Sequence, residues 1–241
     1  MRIAVMQPYI FPYLGYFQLL NAVDRFVFFD DVNFIKKGWI HRNQLLVSGQ
    51  KHRFSVPLQR ASQNRPINET YLHPAGYEQW RNTFLKTVHQ NYRQAPCFPA
   101  TYALLSQVLG RTHETIAELA IDSIESVARY AGLKTDFARS SSLSYDRSQK
   151  GQGKIMAICQ QQKATAYVNP IGGTELYDAT TFASHNVALY FIKSAEVSYP
   201  QQGSDFVPHL SMIDVLMFND VSQINQLLAQ YTLITQADTH D

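Results

Sequence analysis

The chain has 241 residues, of which 45% are hydrophobic, 12% aromatic and only 17% charged, a balance that excludes a disordered or collagen-like chain and suits a large buried core. Twenty-one Lys and Arg against nineteen Asp and Glu leave a formal charge of +2, too small for a nucleic-acid-binding surface, so any phosphate site has to be local. Cys97 and Cys159 stand far apart, which argues against a zinc site and a disulfide framework. No run nears the roughly 18 apolar residues of a membrane span, so the expectation is a soluble, cytoplasmic protein without membrane insertion.

Arg2 to Met6 reads as a buried parallel strand, the turn at Pro12 to Gly15 leads into a short helix carrying Phe17, Leu19, Leu20 and Val23, and Arg25 to Phe29 reads as a second strand. Together they make a βαβ unit of about 29 residues. Asp30 to Trp39 is a loop at the carboxyl end of strand two, the edge where open α/β sheets bind ligands. Gln44 to Val47 and Arg53 to Pro57 flank a Ser48-Gly49-Gln50 turn and suggest an added hairpin. Helices are expected at Gly76 to Gln90, Pro99 to Leu109 and His113 to Ala131, the third with Glu114 in its first turn. Beyond them come a strand from Lys134 to Leu143, a helix from Gln152 to Gln162, and strands at Ala166 to Asn169 and Val187 to Ile192. Ser211 to Phe218 and Val221 to Leu233 close the chain as helix. The alternation predicts one Rossmann-like, three-layer α/β domain over residues 1–241, with a parallel sheet, an added β-hairpin and a helical insertion at about 76–131. That insertion is suited either to capping a cleft or to pairing two chains as a homodimer.

The turn from Gln7 to Tyr16 is the strongest local feature, because Pro8, Pro12 and Gly15 fix the path from strand one into helix one. Unpaired amides at that helix start suit an anion; a structural turn with aromatics packed over the sheet is the competing reading. Asp30-Asp31 with Lys36, Lys37, His41, Arg42 and Asn43 forms a second constellation. Alternation along a strand lets one of the two acids into a site, and Asp31 is preferred. Arg42 suits an anion contact and His41 a proton transfer; a solvated loop of mixed charge would look the same. Asn169 leaves a strand for the paired glycines Gly172 and Gly173, with Tyr177 close behind, which fits a substrate loop or a turn that needs positive φ. Ser211 stands where a helix N-cap belongs. Lys150-Gly151-Gln152-Gly153-Lys154 lacks the first glycine and the Ser or Thr of a Walker-A loop, and no Gly-x-Gly-x-x-Gly follows strand one. No cofactor, no metal cluster and no covalent nucleophile follows from these motifs.

The runs MQPYIFPYLGYFQLL, DRFVFFDDVNFIKKGWIHRNQL, YVNPIGGTELYD and FVPHLSMIDVLMFND together resemble the WbqC-like protein family, over Met1 to about Asn219. The resemblance implies a role in bacterial O-antigen or surface-polysaccharide synthesis. A more distant likeness is to the nucleotidylyltransferase-like fold, whose His-x-Gly-His stretch would fall on Tyr13-Leu14-Gly15-Tyr16. Tyrosines in place of both histidines cannot carry imidazolium charge, which argues against nucleotidyl transfer and leaves phosphate or nucleotide binding open. The expected function is a transferase acting on a small, phosphate-bearing, nucleotide-linked sugar, with acyl or aminoacyl transfer to an amino sugar as one chemistry. The alternative is a non-catalytic nucleotide- or sugar-nucleotide-binding module. The expected catalytic residues are Asp31 and His41; the expected binding residues are Gln7, Tyr13, Gly15, Tyr16, Lys37, Arg42, Asn43, Asn169, Gly172, Gly173, Tyr177 and Ser211.

Overall fold

The computed structural model describes residues 1–203 and 205–240. Its first half runs β1 (Arg2–Met6), α1 (Leu14–Asn21), β2 (Arg25–Phe28), the strands β3 (Arg42–Val47) and β4 (Gln50–Ser55), then α2 (Pro74–Tyr92), α3 (Phe98–Gly110) and α4 (Ile116–Ala131). The second half runs β5 (Asp136–Arg139), α5 (Gln152–Gln161), β6 (Ala166–Pro170), α6 (Ala179–Ser184), β7 (Ala188–Ser194), α7 (Met212–Phe218), α8 (Val221–Leu228) and β8 (Tyr231–Ile234).

Six strands form one sheet in the order β5-β2-β1-β6-β7-β8, parallel except for β8, while β3 and β4 pair only with each other. With the hairpin set aside, this is the 3-2-1-4-5-6 order of a doubly wound sheet, whose strand order reverses between β1 and β6. The period of two along each strand divides the core. Ala4, Phe26, Phe28, Val168 and Ile192 face a cluster that holds α1, α4, α7 and α8. Ile3, Val5, Val27, Tyr167, Leu189 and Phe191 face another, which holds Ile155, Ile158 and Cys159 of α5 and Phe182 of α6.

Local chemistry explains most boundaries. Thr115 caps α4 in a reciprocal capping box with Glu118, so the helix starts at Ile116 and its first-turn acid is Glu118, not Glu114. Gly132, at φ 74°, ends it in the left-handed region. Because α4 itself joins β2 to β5, the material added before it consists of the hairpin, α2 and α3. Ser48 and Gly49 both adopt positive φ, so β3 and β4 meet through a two-residue turn; β3 begins earlier than the apolar pattern suggests and ends at Val47 as expected, while β4 both begins and ends earlier. The expected terminal helix is corrected: α8 stops at Leu228, and Tyr231–Ile234 turns back as β8 against β7. The strand expected from Lys134 to Leu143 shortens to β5, followed by a single 3-10 turn at Ser140–Ser142.

Candidate substrate-binding site

The ladder between β1 and β6 covers only Arg2↔Ala166 and Ile3↔Tyr167, although β1 runs on to Met6 and β6 to Pro170. On its other side β1 stays paired with β2 through Met6, and β6 with β7 through Pro170. The two strands therefore part before their carboxyl ends, and a cavity of about 470 Å³ opens in the gap. Its size is that of a small-molecule site. Gln7, Tyr9 and Phe29 line one side; Asn169, Gly172, Gly173 and Tyr177 line the other; Gly151, Gln152 and Ile155 close it from the start of α5.

Each wall has a local cause. Tyr16 is buried against Phe26, and its hydroxyl donates to the Gln7 carbonyl (2.9 Å), fixing the residue after β1. The Gln7 side chain makes no hydrogen bond to any described residue and is free for a ligand. Asn169 Nδ2 donates to the Tyr167 hydroxyl (2.8 Å), which in turn donates to the Tyr177 hydroxyl (3.3 Å). Asn169 Oδ1 occupies the space a side chain on residue 173 would need, so that position requires glycine. Gly151 stands at φ 50° as the N-cap of α5 and offers no side-chain cap, leaving the helix start to a ligand or to water. Burial raises the Tyr9 and Tyr177 phenols above their ordinary value, so both remain protonated donors at neutral pH.

A second cavity of about 720 Å³ lies on the other side of the β1 turn, against Tyr13, Gly15, Gln18, Ser194 and Tyr199. A smaller one of about 170 Å³ includes Tyr9, Tyr13, Asn43 and His209. Tyr9 borders the first cavity and the small one, and Tyr13 borders the small one and the second. The three form a chain along the sheet's carboxyl edge.

The structure thus brings together five of the residues expected from sequence, Gln7, Asn169, Gly172, Gly173 and Tyr177, and places Tyr13 and Gly15 in the neighbouring cavity. Asn43 is mainly a staple. Its Nδ2 donates to the carbonyls of Ile10 (3.2 Å) and Phe11 (2.6 Å), binding the hairpin to the turn after β1. Ser211 is fully buried, caps α7 through Ile213 N and donates to the Phe11 carbonyl (2.7 Å).

Lys37, Arg42, His41 and Asp31 line none of these three cavities. Arg42 folds back on its own loop, donating from Nε to the Gly38 carbonyl (2.7 Å) and from Nη2 to the carbonyl of Lys37, itself exposed. His41 packs against Phe34, and burial, with Arg42 beside it, lowers its pKa to about 4. It is neutral at pH 7 and a weak base. Asp31 accepts from the hydroxyls of Ser140 (2.5 Å) and Tyr145 (2.8 Å) and pairs with Arg147 at 3.1 Å. Asp30 accepts from the Ser141 amide (2.9 Å) and hydroxyl (2.7 Å). Strand alternation does not separate the two acids, because β2 ends at Phe28 and both lie beyond it.

The lining residues missed by sequence include Tyr9, Phe29, Ile155 and, above all, Gly151 and Gln152. The glycines around Gln152 were a usable signal once the Walker-A pattern failed, since a helix start beside a strand end needs no lysine motif to meet a ligand. No group of His, Cys, Asp and Glu among the described residues is arranged to hold a metal ion. No helix among them is long and apolar enough to cross a membrane.

A family model, the WbqC-like protein family, matches residues 7–226. The chain belongs to the WbqC-like protein family. It is 26% identical over 221 residues to the uncharacterized protein Rv1507c of Mycobacterium tuberculosis, a match covering 90% of this chain and 93% of that one. No solved structure matches. The matched span of this WbqC-like chain begins at Gln7 and includes the further lining residues through Tyr177.

Proposed function

We propose that this WbqC-like protein is a transferase of bacterial surface-polysaccharide biosynthesis that holds a nucleotide-linked sugar in the cavity between β1 and β6. The observation that carries the reading is the parting of those two strands at the point where the sheet order reverses, the place where doubly wound sheets bind nucleotides. The lining supports it. Amide side chains of Gln7, Gln152 and Asn169 match the hydroxyls of a sugar, and the rings of Tyr9, Phe29 and Tyr177 offer flat apolar faces. The uncapped start of α5 and the open backbone at Gly172, where nothing lies within 4 Å of a Cβ position, suit a diphosphate. Lys150 and Lys154 flank that helix start in the sequence and supply the nearest cations along the chain.

A second reading, a non-catalytic sugar-nucleotide-binding module, is favoured by one observation: no Asp, Glu, His, Lys, Arg or Cys is among the residues lining that cavity. Calorimetric titration with UDP-N-acetylglucosamine, followed by mass spectrometry of the ligand after incubation with an amino-sugar second substrate, separates the two. The transferase predicts binding and a new product; the module predicts binding with the ligand returned intact; absence of binding by any of a panel of nucleotide sugars contradicts both.

A further inference from the structure

Gln18 of α1 is fully buried and lines the 720 Å³ cavity. Its Nε2 donates to two backbone carbonyls, Leu227 O (2.9 Å) and Gln230 O (3.1 Å). The amide is therefore locked: turning it over would set its oxygen against both carbonyls. Its Oε1, left as a pure acceptor, has no partner. Buried acceptors are seldom left unsatisfied, and one carried by a side chain that lines a cavity marks a place for a donor from outside.

Three further features surround the same space. α1 begins at Leu14 with no side-chain cap. A Cβ on Gly15 would stand 2.8 Å from the Tyr13 ring and 3.2 Å from Ser194 Oγ, so the helix start, an aromatic face and a hydroxyl converge on one point. Glu196 contributes a carboxylate, and neither Lys nor Arg is among the lining residues. Acceptors left without donors favour a ligand rich in donors. The free helix amides can donate to hydroxyl oxygens, which act both as donors and acceptors.

We propose that this cavity is a second binding site, for an amino sugar whose ammonium group faces Glu196 and one of whose hydroxyls donates to Gln18 Oε1. Only its role as the acceptor site rests on the transferase reading; the binding itself does not. The two cavities lie along one edge of the sheet, linked by the small cavity that Tyr9 and Tyr13 border.

The test is a heteronuclear NMR titration of the whole chain with glucosamine, with N-acetylglucosamine and, separately, with UDP-N-acetylglucosamine. Glucosamine is expected to shift the Gly15 amide, whereas a response of Gly172 and Gly173 to the nucleotide sugar reports only on the first site. Glu196→Gln, an exposed change that leaves the core alone, is expected to weaken glucosamine about 5-fold and leave N-acetylglucosamine unchanged. Gln18→Met, its folding checked by thermal melting, is expected to weaken both about 10-fold. A Gly15 amide that stays still at millimolar glucosamine, or a Glu196→Gln protein that binds glucosamine as the parent does, overturns the proposal, whatever Gln18→Met does to folding.

Discussion

Asn169 Oδ1 lies 2.1 Å from the point a Cβ on Gly173 would occupy. Asn169 is almost fully buried and held by the Tyr167 hydroxyl, so it can make room only by breaking that bond. Gly173→Ala is expected to cost about 2 kcal/mol, as overpacking of a buried site does, and to weaken nucleotide-sugar binding by about 10-fold or more, since Asn169 leaves the wall. Gly172→Ala, with nothing near its Cβ, is expected to keep stability within about 0.5 kcal/mol, while its methyl occupies the space the diphosphate needs and so weakens nucleotide-sugar binding without a fall in stability. Thermal melts and titrations of the two variants side by side check the contrast.

Phe11 holds a positive φ of 40° without being glycine, and three side chains from different elements restrain it. Ser123 Oγ accepts from its amide (3.0 Å), and its carbonyl accepts from Asn43 Nδ2 and Ser211 Oγ. Strained backbone persists where its surroundings over-determine it. Asn43→Ala is expected to destabilise the fold by about 2 kcal/mol, two buried carbonyl contacts being lost, and to broaden NMR signals of the turn that carries Tyr9 and Tyr13. A variant as stable as the parent, with a rigid turn, contradicts this.

Asp214 is fully buried in α7, where it accepts from Tyr92 OH (2.8 Å), Tyr199 OH (2.9 Å) and Gln201 Nε2 (2.9 Å). Burial raises its pKa despite those three donors. Tyr92 also receives the Leu46 amide, so the carboxylate joins α7 to α2 and the hairpin. Asp214→Ala strands three donors and is expected to cost about 3 kcal/mol; Asp214→Asn, which keeps an acceptor, is expected to cost roughly half as much. Denaturant unfolding of both variants measures the difference.

His41 titrates in the native state at about 4 instead of 6.5, lowered first by burial and second by Arg42. The unfolded chain takes up a proton at 6.5 that the folded chain refuses until about 4, so this residue removes stability as pH falls through that window and has no effect above it. His41→Phe is expected to flatten the fall in denaturant midpoint between those two pH values while leaving the slope above 6.5 unchanged. Parallel pH profiles for parent and variant would expose an equal fall in both as the contrary result.

What could be read from the residues was what depends on periodicity and chain geometry. The βαβ opening, the hairpin around Gly49 and the long face of α4 come from spacing alone, and Asn169 with its glycines announced a strand end where backbone is left bare. β8 was not legible: Tyr231–Ile234 is four residues long, follows α8 without proline or glycine, and becomes a strand only because β7 offers an edge. Residue type alone also points to Lys37, Arg42, His41 and Asp31, which line none of the three cavities. Sequence cannot say that the Arg42 guanidinium will find carbonyls of its own loop, or that Tyr145 and Arg147, more than a hundred residues away, will occupy the Asp31 carboxylate. Gly151 and Gln152 reach the cavity through backbone position, which the glycines around Gln152 hint at but no complete ligand motif encodes.

The central claim is that a nucleotide-linked sugar sits where β1 and β6 part. A crystal structure of the protein soaked with UDP-N-acetylglucosamine tests it most directly. The account predicts ligand density bounded by Gln7, Asn169 and Gly172, with the diphosphate at the start of α5. Density for that ligand elsewhere on the protein, with the gap between the two strands holding only water, would contradict it.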